Sequence, residues 1–143
     1  LPTDENNIPL AQPAGVEATP FDFRKPKRIG RDIADGTYQT AKCGGYDHNF
    51  CLNGGPGPAV SAYCPESGIR MEMRTDLPGV QLYTGNFLNG AEGKGGSPLE
   101  KHAGFCLETQ FYPDSPNRAD FPSCVFKAGE RYRSKTSFIF SVV

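Results

Sequence analysis

The chain has 143 residues, of which 37% are hydrophobic, 11% aromatic and 22% charged, enough for one compact domain and too polar for a membrane protein. Its 17 glycines and 13 prolines are scattered without period, which excludes collagen and implies many turns between short apolar runs. A net charge of -1 excludes a chain-wide electrostatic footprint for nucleic acid or an anionic membrane and suits a neutral polar partner.

No apolar stretch approaches the roughly 18 to 20 residues of a spanning helix. The five cysteines, at 43, 51, 64, 106 and 124, form no CxxC and no zinc-finger spacing with histidine. Reduced thiols in the cytoplasm are the expectation, with no metal. The first residue is Leu1 and not methionine, which predicts a processed or cut product.

Residues 1–36 read as an irregular lead-in, because Pro2, Pro9, Pro13, Pro20 and Pro26 are too closely spaced for a long helix. Arg24-Lys25-Pro26-Lys27-Arg28 reads as a solvated, proline-broken loop and not as a nucleic-acid patch. Arg31 to Asp35 is a possible helical turn, and residues 37–143 read as strands.

Strand signals then recur about every ten residues. Tyr46–Leu52 is a strand, closed by the turn run 53–58, and Ala59–Cys64 is another, followed by the turn Pro65–Gly68. Ile69–Thr75 alternates, with Ile69, Met71 and Met73 on one face and Arg70, Glu72 and Arg74 on the other. The turn Asp76-Leu77-Pro78-Gly79 leads into the strand Val80–Thr84. Asn89–Gly96 is a glycine-rich loop, and strands follow at Phe105–Phe111, Val125–Lys127 and Tyr132–Val143. No window shows a convincing helical period, so the fold class is all-β, sandwich or barrel-like.

Period-two geometry separates neighbours to opposite faces. It puts His48, Phe50 and Leu52 on one side of their strand and Asp47, Asn49 and Cys51 on the other, so Asp47 and His48 are no side-by-side catalytic pair. Gln81 and Tyr83 oppose Val80 and Leu82; Cys106, Glu108 and Gln110 oppose Phe105 and Leu107. Two readings stand: ordinary alternation with the polar faces in water, or polar faces lining one cleft where acceptors and amides meet the hydroxyls of a ligand. Glu108, flanked by Leu, Phe and Cys, is a candidate for desolvation toward a general-base range. Gly93-Lys94-Gly95 lacks the Ser or Thr and the helix of a phosphate loop. His102 is a weaker candidate proton donor, and a solvated or packing histidine is the plainer reading.

Gly45-Tyr46-Asp47-His48-Asn49-Phe50, the run from Pro78 to Phe87 and Gly104-Phe105-Cys106-Leu107-Glu108-Thr109-Gln110 resemble the aldose 1-epimerase (galactose mutarotase) family. So do Asp22-Phe23-Arg24 with Ile29–Ile33, Tyr112–Asn117, and Gly129-Glu130 through Tyr132, all in family order. The resemblance implies a large β-sandwich of the galactose mutarotase type, of which residues 1–143 are about the C-terminal half of a single domain. It also implies a second, noncovalently held chain carrying the N-terminal half, because a half domain exposes sheet edges and an apolar face.

The family interconverts the α and β anomers of aldohexoses such as galactose and glucose, without cofactor or metal. By motif match, Glu108 corresponds to the catalytic base, Asp47 to a substrate-binding carboxylate and Gln81 to a sugar-contacting amide. The family's acid histidine and second substrate histidine fall in the N-terminal half, and neither His48 nor His102 matches them. The alternatives are a noncatalytic sugar-binding relative, which would not need Glu108, and an epimerase of phosphorylated sugars. The latter would need a basic cluster, and these three strands offer none near Asp47, Gln81 or Glu108.

Overall fold

A computed structural model describes residues 1–10 and 12–143, which form eight strands: β1 Asp47–Cys51, β2 Val60–Cys64, β3 Ile69–Thr75, β4 Gly79–Tyr83, β5 Ala91–Glu92, β6 Pro98–Leu99, β7 Cys106–Gln110 and β8 Thr136–Val142. The six-residue α1, Tyr38–Cys43, is the α-helix among the described residues, beside short 3-10 turns at Ile29–Arg31, Lys94–Gly96 and Ser115–Asn117. The sheets run β1-β4-β7, β2-β3-β8 and β5-β6. The all-β expectation holds, and Ile69–Thr75 is a strand over the range its alternation predicts.

Four expectations need correction. The 3-10 helix lies at Ile29–Arg31, ahead of the expected Arg31–Asp35, where a single turn closes with the Asp35 amide on the Asp32 carbonyl at 3.3 Å. Val125–Lys127 is not a strand: the segment is held by rings, with Phe126 5.1 Å from Tyr132 and 6.2 Å from Phe111, and not by a ladder. The last strand starts at Thr136, not Tyr132, because its partner β3 ends opposite, at Thr75; Asp76 there accepts the Lys135 amide at 2.9 Å. The loop Asn89–Gly96 contains β5, paired with β6 beyond it. Helix α1 is too short for a period; it ends at Gly44, whose φ of 65° is left-handed and whose N–H bonds the Ala41 and Thr40 carbonyls.

The chain divides into two compact units, residues 1–50 with 81–108 and residues 51–80 with 109–143. In the first, Tyr46 is fully buried (0% exposed), with the rings of Phe21 and Phe23 edge-on at 5.6 and 5.4 Å. Its hydroxyl donates to the Pro20 carbonyl at 2.8 Å. The same carbonyl accepts from Lys27, which also pairs with Asp32 at 2.7 Å and lies over the Phe23 ring at 4.2 Å. Lys27 is therefore built into the lead-in and is not a solvated charge, unlike the exposed Arg24, Lys25 and Arg28 around it.

In the second unit, antiparallel pairing sets Met73 of β3 between Val60 and Phe138, and Met71 between Ala62 and Phe140. Met73 is fully buried (0% exposed), so the predicted apolar face of β3 is the covered one at this end. On the other face Arg70 pairs with Glu72 at 2.8 Å.

Candidate functional site

The site is built from residues of β1 and β4 that belong to the first unit. The Thr84 amide donates to the Tyr46 carbonyl at 3.1 Å, which places Tyr46 opposite Thr84 at one end of the β1–β4 pair. The side chains of Asp47 and Gln81 meet directly: the Gln81 Nε2 donates to the Asp47 Oδ1 at 2.8 Å, in a half-buried setting. An amide donor on a carboxylate fixes one of its two oxygens and leaves the other, with the remaining lone pairs, to accept further hydroxyl donors. The structure therefore brings together two of the residues that alternation set on polar faces.

The peptide before Asp47 is gripped by side chains. The Tyr46 amide donates to the Thr84 Oγ1 at 3.0 Å, and the Asn86 Nδ2 donates to the Tyr46 carbonyl at 2.9 Å. The Thr84 hydroxyl in turn donates to the Asn86 Oδ1 at 2.6 Å. Thr84 and Asn86 are buried, so this clasp is closed off from water. Sequence reasoning passed over it. The available signal was two polar residues, Thr84 and Asn86, directly beyond a strand end, facing the Gly44-Gly45 pair that precedes Tyr46.

His48 lies on the opposite face of β1, as alternation requires, 3% exposed and edge-on to Phe21 at 4.8 Å. Its side chain is not beside the Asp47 carboxylate, yet the two residues are linked: the Asp47 backbone amide donates to the His48 Nδ1 at 3.0 Å. Burial above all, with the Lys42 charge added, brings the His48 pKa down to about 4. Its Nε2 is buried and makes no hydrogen bond of ordinary geometry, while the Gln39 backbone works against the downward shift.

Glu108 lies on β7, the strand next to β4. It is exposed, contrary to the desolvation expected from its neighbours: Phe105 and Cys106 are themselves exposed and do not cover it. His102 is exposed and has a left-handed φ of 65°. Its Nδ1 lies 2.8 Å from the Thr84 carbonyl, so that nitrogen carries a proton and donates it there. The Gly93-Lys94-Gly95 run leads into the 3-10 turn Lys94–Gly96 inside the β5–β6 hairpin, with the Gly93 amide on the Ser97 carbonyl at 2.8 Å, and no helix follows it. Among the described residues no three His, Cys, Asp or Glu converge as a metal site, and no helix is long and apolar enough to cross a membrane.

The chain is 46% identical over 145 residues to the galactose mutarotase of Bos taurus and 45% identical over 145 residues to that of Homo sapiens. Both alignments take in 99% of this chain and 41% of the relative, so the chain spans about two fifths of the length of the curated relatives it matches. The solved structure of an aldose epimerase homologue from C. elegans superposes with a TM-score of 0.87 at 24% identity, over 99% of this chain and 42% of that one, which shows the fold. The sequence pattern of the family described as aldose 1-epimerase runs through residues 1–139. The chain belongs to the aldose 1-epimerase family.

Proposed function

We propose that this chain supplies the sugar-holding side and the base of a mutarotase that interconverts the α and β anomers of aldohexoses such as galactose and glucose. The observation that carries this reading is the family match across residues 1–139. The chain is then the C-terminal part of a single domain, and the site is completed by the N-terminal part, held noncovalently as a second chain in the cytoplasm.

The chemistry assigns the residues their work. Anomer exchange needs a base to take the proton of the C1 hydroxyl and an acid to protonate the ring oxygen. The ring opens to the aldehyde, turns about the C1–C2 bond and recloses on the other face; the two groups exchange roles on closure. Glu108 is the base. Asp47, steadied by the Gln81 amide at 2.8 Å, accepts a sugar hydroxyl through its remaining lone pairs, and Gln81 offers its carbonyl to another. The acid is a histidine of the N-terminal part, as the resemblance implies. Proton transfers among hydroxyl, carboxylate and imidazole balance without metal or redox cofactor.

Polarimetry of α-D-galactose with the protein as isolated, combined with the intact mass of every chain present, tests the proposal. Mutarotation far above the spontaneous rate in a preparation holding both parts of the domain is the expected result. Spontaneous-rate mutarotation with both parts present, together with retained galactose binding, overturns it in favour of a noncatalytic sugar-binding relative.

A further inference from the structure

We propose that His48 is a positioning residue for Asp47, acting as a neutral imidazole that holds the Asp47 backbone amide through Nδ1. The role of Asp47 in sugar binding rests on the function proposed above; the hydrogen bond and its tautomer do not.

The tautomer follows from the donor. An N–H group, that of Asp47, points at Nδ1 from 3.0 Å, so Nδ1 must present its lone pair and the ring proton must sit on Nε2. A ring carrying its proton on Nδ1, or on both nitrogens, would set donor against donor. The site enforces the neutral form: the ring is 3% exposed, Phe21 packs edge-on against it, and burial holds the group down at about 4.

The other nitrogen shows why packing is not the whole reason for a histidine here. Nε2 is buried and makes no hydrogen bond of ordinary geometry, the Gln39 backbone being the polar group that favours the charged ring, and leucine or methionine in the same space would avoid that cost. What the imidazole gives in return is the acceptor at Nδ1. Thr84 and Asn86 hold the peptide polar atoms of Tyr46, and His48 holds the amide of Asp47. The backbone leading to the Asp47 Cα is thereby fixed at three polar atoms, and Gln81 fixes the carboxylate end at 2.8 Å.

Two substitutions in the complete, mutarotating protein separate positioning from packing. In His48→Asn, Oδ1 takes the place of Nδ1 and keeps the acceptor while leaving a cavity. In His48→Leu, the bulk is kept and the acceptor is lost. Positioning predicts a galactose KM raised about 3- to 10-fold in His48→Leu with kcat within about twofold, and a KM restored toward wild type in His48→Asn. The reverse order, leucine near wild type and asparagine impaired, overturns the proposal.

A nitrogen-15 NMR spectrum of the wild-type protein at neutral pH provides a readout independent of activity and of how the variants fold. A proton on Nε2 is expected; a proton on Nδ1 overturns the proposal. If wild type proves inactive, the proposed catalytic function fails. The titrated galactose Kd then replaces KM in the same comparison, and a Kd unmoved by His48→Leu overturns the positioning role.

Discussion

A Cβ on Gly45 would lie 2.4 Å from the Asn86 Oδ1 and 2.8 Å from the Thr84 Oγ1. The φ of Gly45 is +149°, a region that side-chain-bearing residues avoid. Glycine is therefore what lets Asn86 and Thr84 reach the Tyr46 peptide. Gly45→Ala is expected to destabilise the fold by about 2–4 kcal/mol, combining backbone strain with loss of part of a buried polar network. Asn86→Ala is expected to cost about 1–3 kcal/mol, since it strips a donor from the buried Tyr46 carbonyl and an acceptor from the Thr84 hydroxyl. Urea unfolding of both single variants and the double variant checks this. The double should cost less than the sum, because removing Asn86 removes the nearest clash; strict additivity would show that the two positions do not meet.

Glu108→Gln and Asp47→Asn are expected to fail in different ways. Glu108→Gln removes a base and keeps the shape, so kcat for galactose mutarotation should fall about 10²- to 10⁴-fold with KM little changed. Asp47→Asn keeps an acceptor but loses the charge that strengthens both the Gln81 bond at 2.8 Å and a bond from a sugar hydroxyl. Its main effect should be on KM, by about tenfold. Polarimetry across a galactose series separates the two; a normal kcat in Glu108→Gln would remove it from the chemistry.

Much of this arrangement was legible in the sequence, because period-two alternation is a strong local signal. Ile69–Thr75 has the residue range its alternation sets, and Asp47, Gln81 and Glu108 stand out on the polar faces of strands whose other faces are largely apolar. What those residues hold came from the family resemblance and not from spacing. Tertiary partners decide the remainder. Val125–Lys127 looks like a strand, but the rings around Phe126 take it instead. Helix α1 depends on Gly44 and on burial of Thr40 and Cys43, not on a period. The clasp of Thr84 and Asn86 on Tyr46 joins residues 38 and 40 positions apart, and no local pattern announces a contact at that range.

His48 makes folding sensitive to mild acid. Its ordinary pKa of 6.5 is brought to about 4 in the folded chain, chiefly by burial. As pH falls below 6.5 the unfolded chain binds a proton that the folded chain refuses, so stability declines until about pH 4, where the folded ring also protonates. The full decline amounts to about 3 kcal/mol. Asp22 and Asp32 act lower. The Arg24 side-chain bond to Asp22, and the bonds of Arg31 and then Lys27 to Asp32, hold each carboxyl down at about 2 from 3.8. Their stabilisation is present above pH 3.8 and fades toward pH 2. Chemical denaturation at a series of pH values should show a decline between 6.5 and 4 that His48→Leu flattens, with the lower limb intact. An unchanged upper limb in that variant would show that another group carries it.

Strand β8 ends the sheet order β2-β3-β8, and it carries Phe138, Phe140 and Val142, 45%, 65% and 81% exposed. These residues pair with Met73, Met71 and Ile69, so the apolar face that covers Met73 grows progressively barer toward Val142. An edge strand with bare aromatic and aliphatic side chains offers both hydrogen-bonding groups and hydrophobic area to a neighbour. The isolated chain is therefore expected to self-associate as its concentration rises. Phe140→Lys places a charge on the exposed face of the edge and should return the chain toward monomer with little loss of stability, since the ring it removes is already 65% exposed. Sedimentation velocity over a concentration series measures both. A monomeric wild-type chain at every concentration would show that this face does not drive association, and unaltered self-association in Phe140→Lys would place the sticky surface elsewhere.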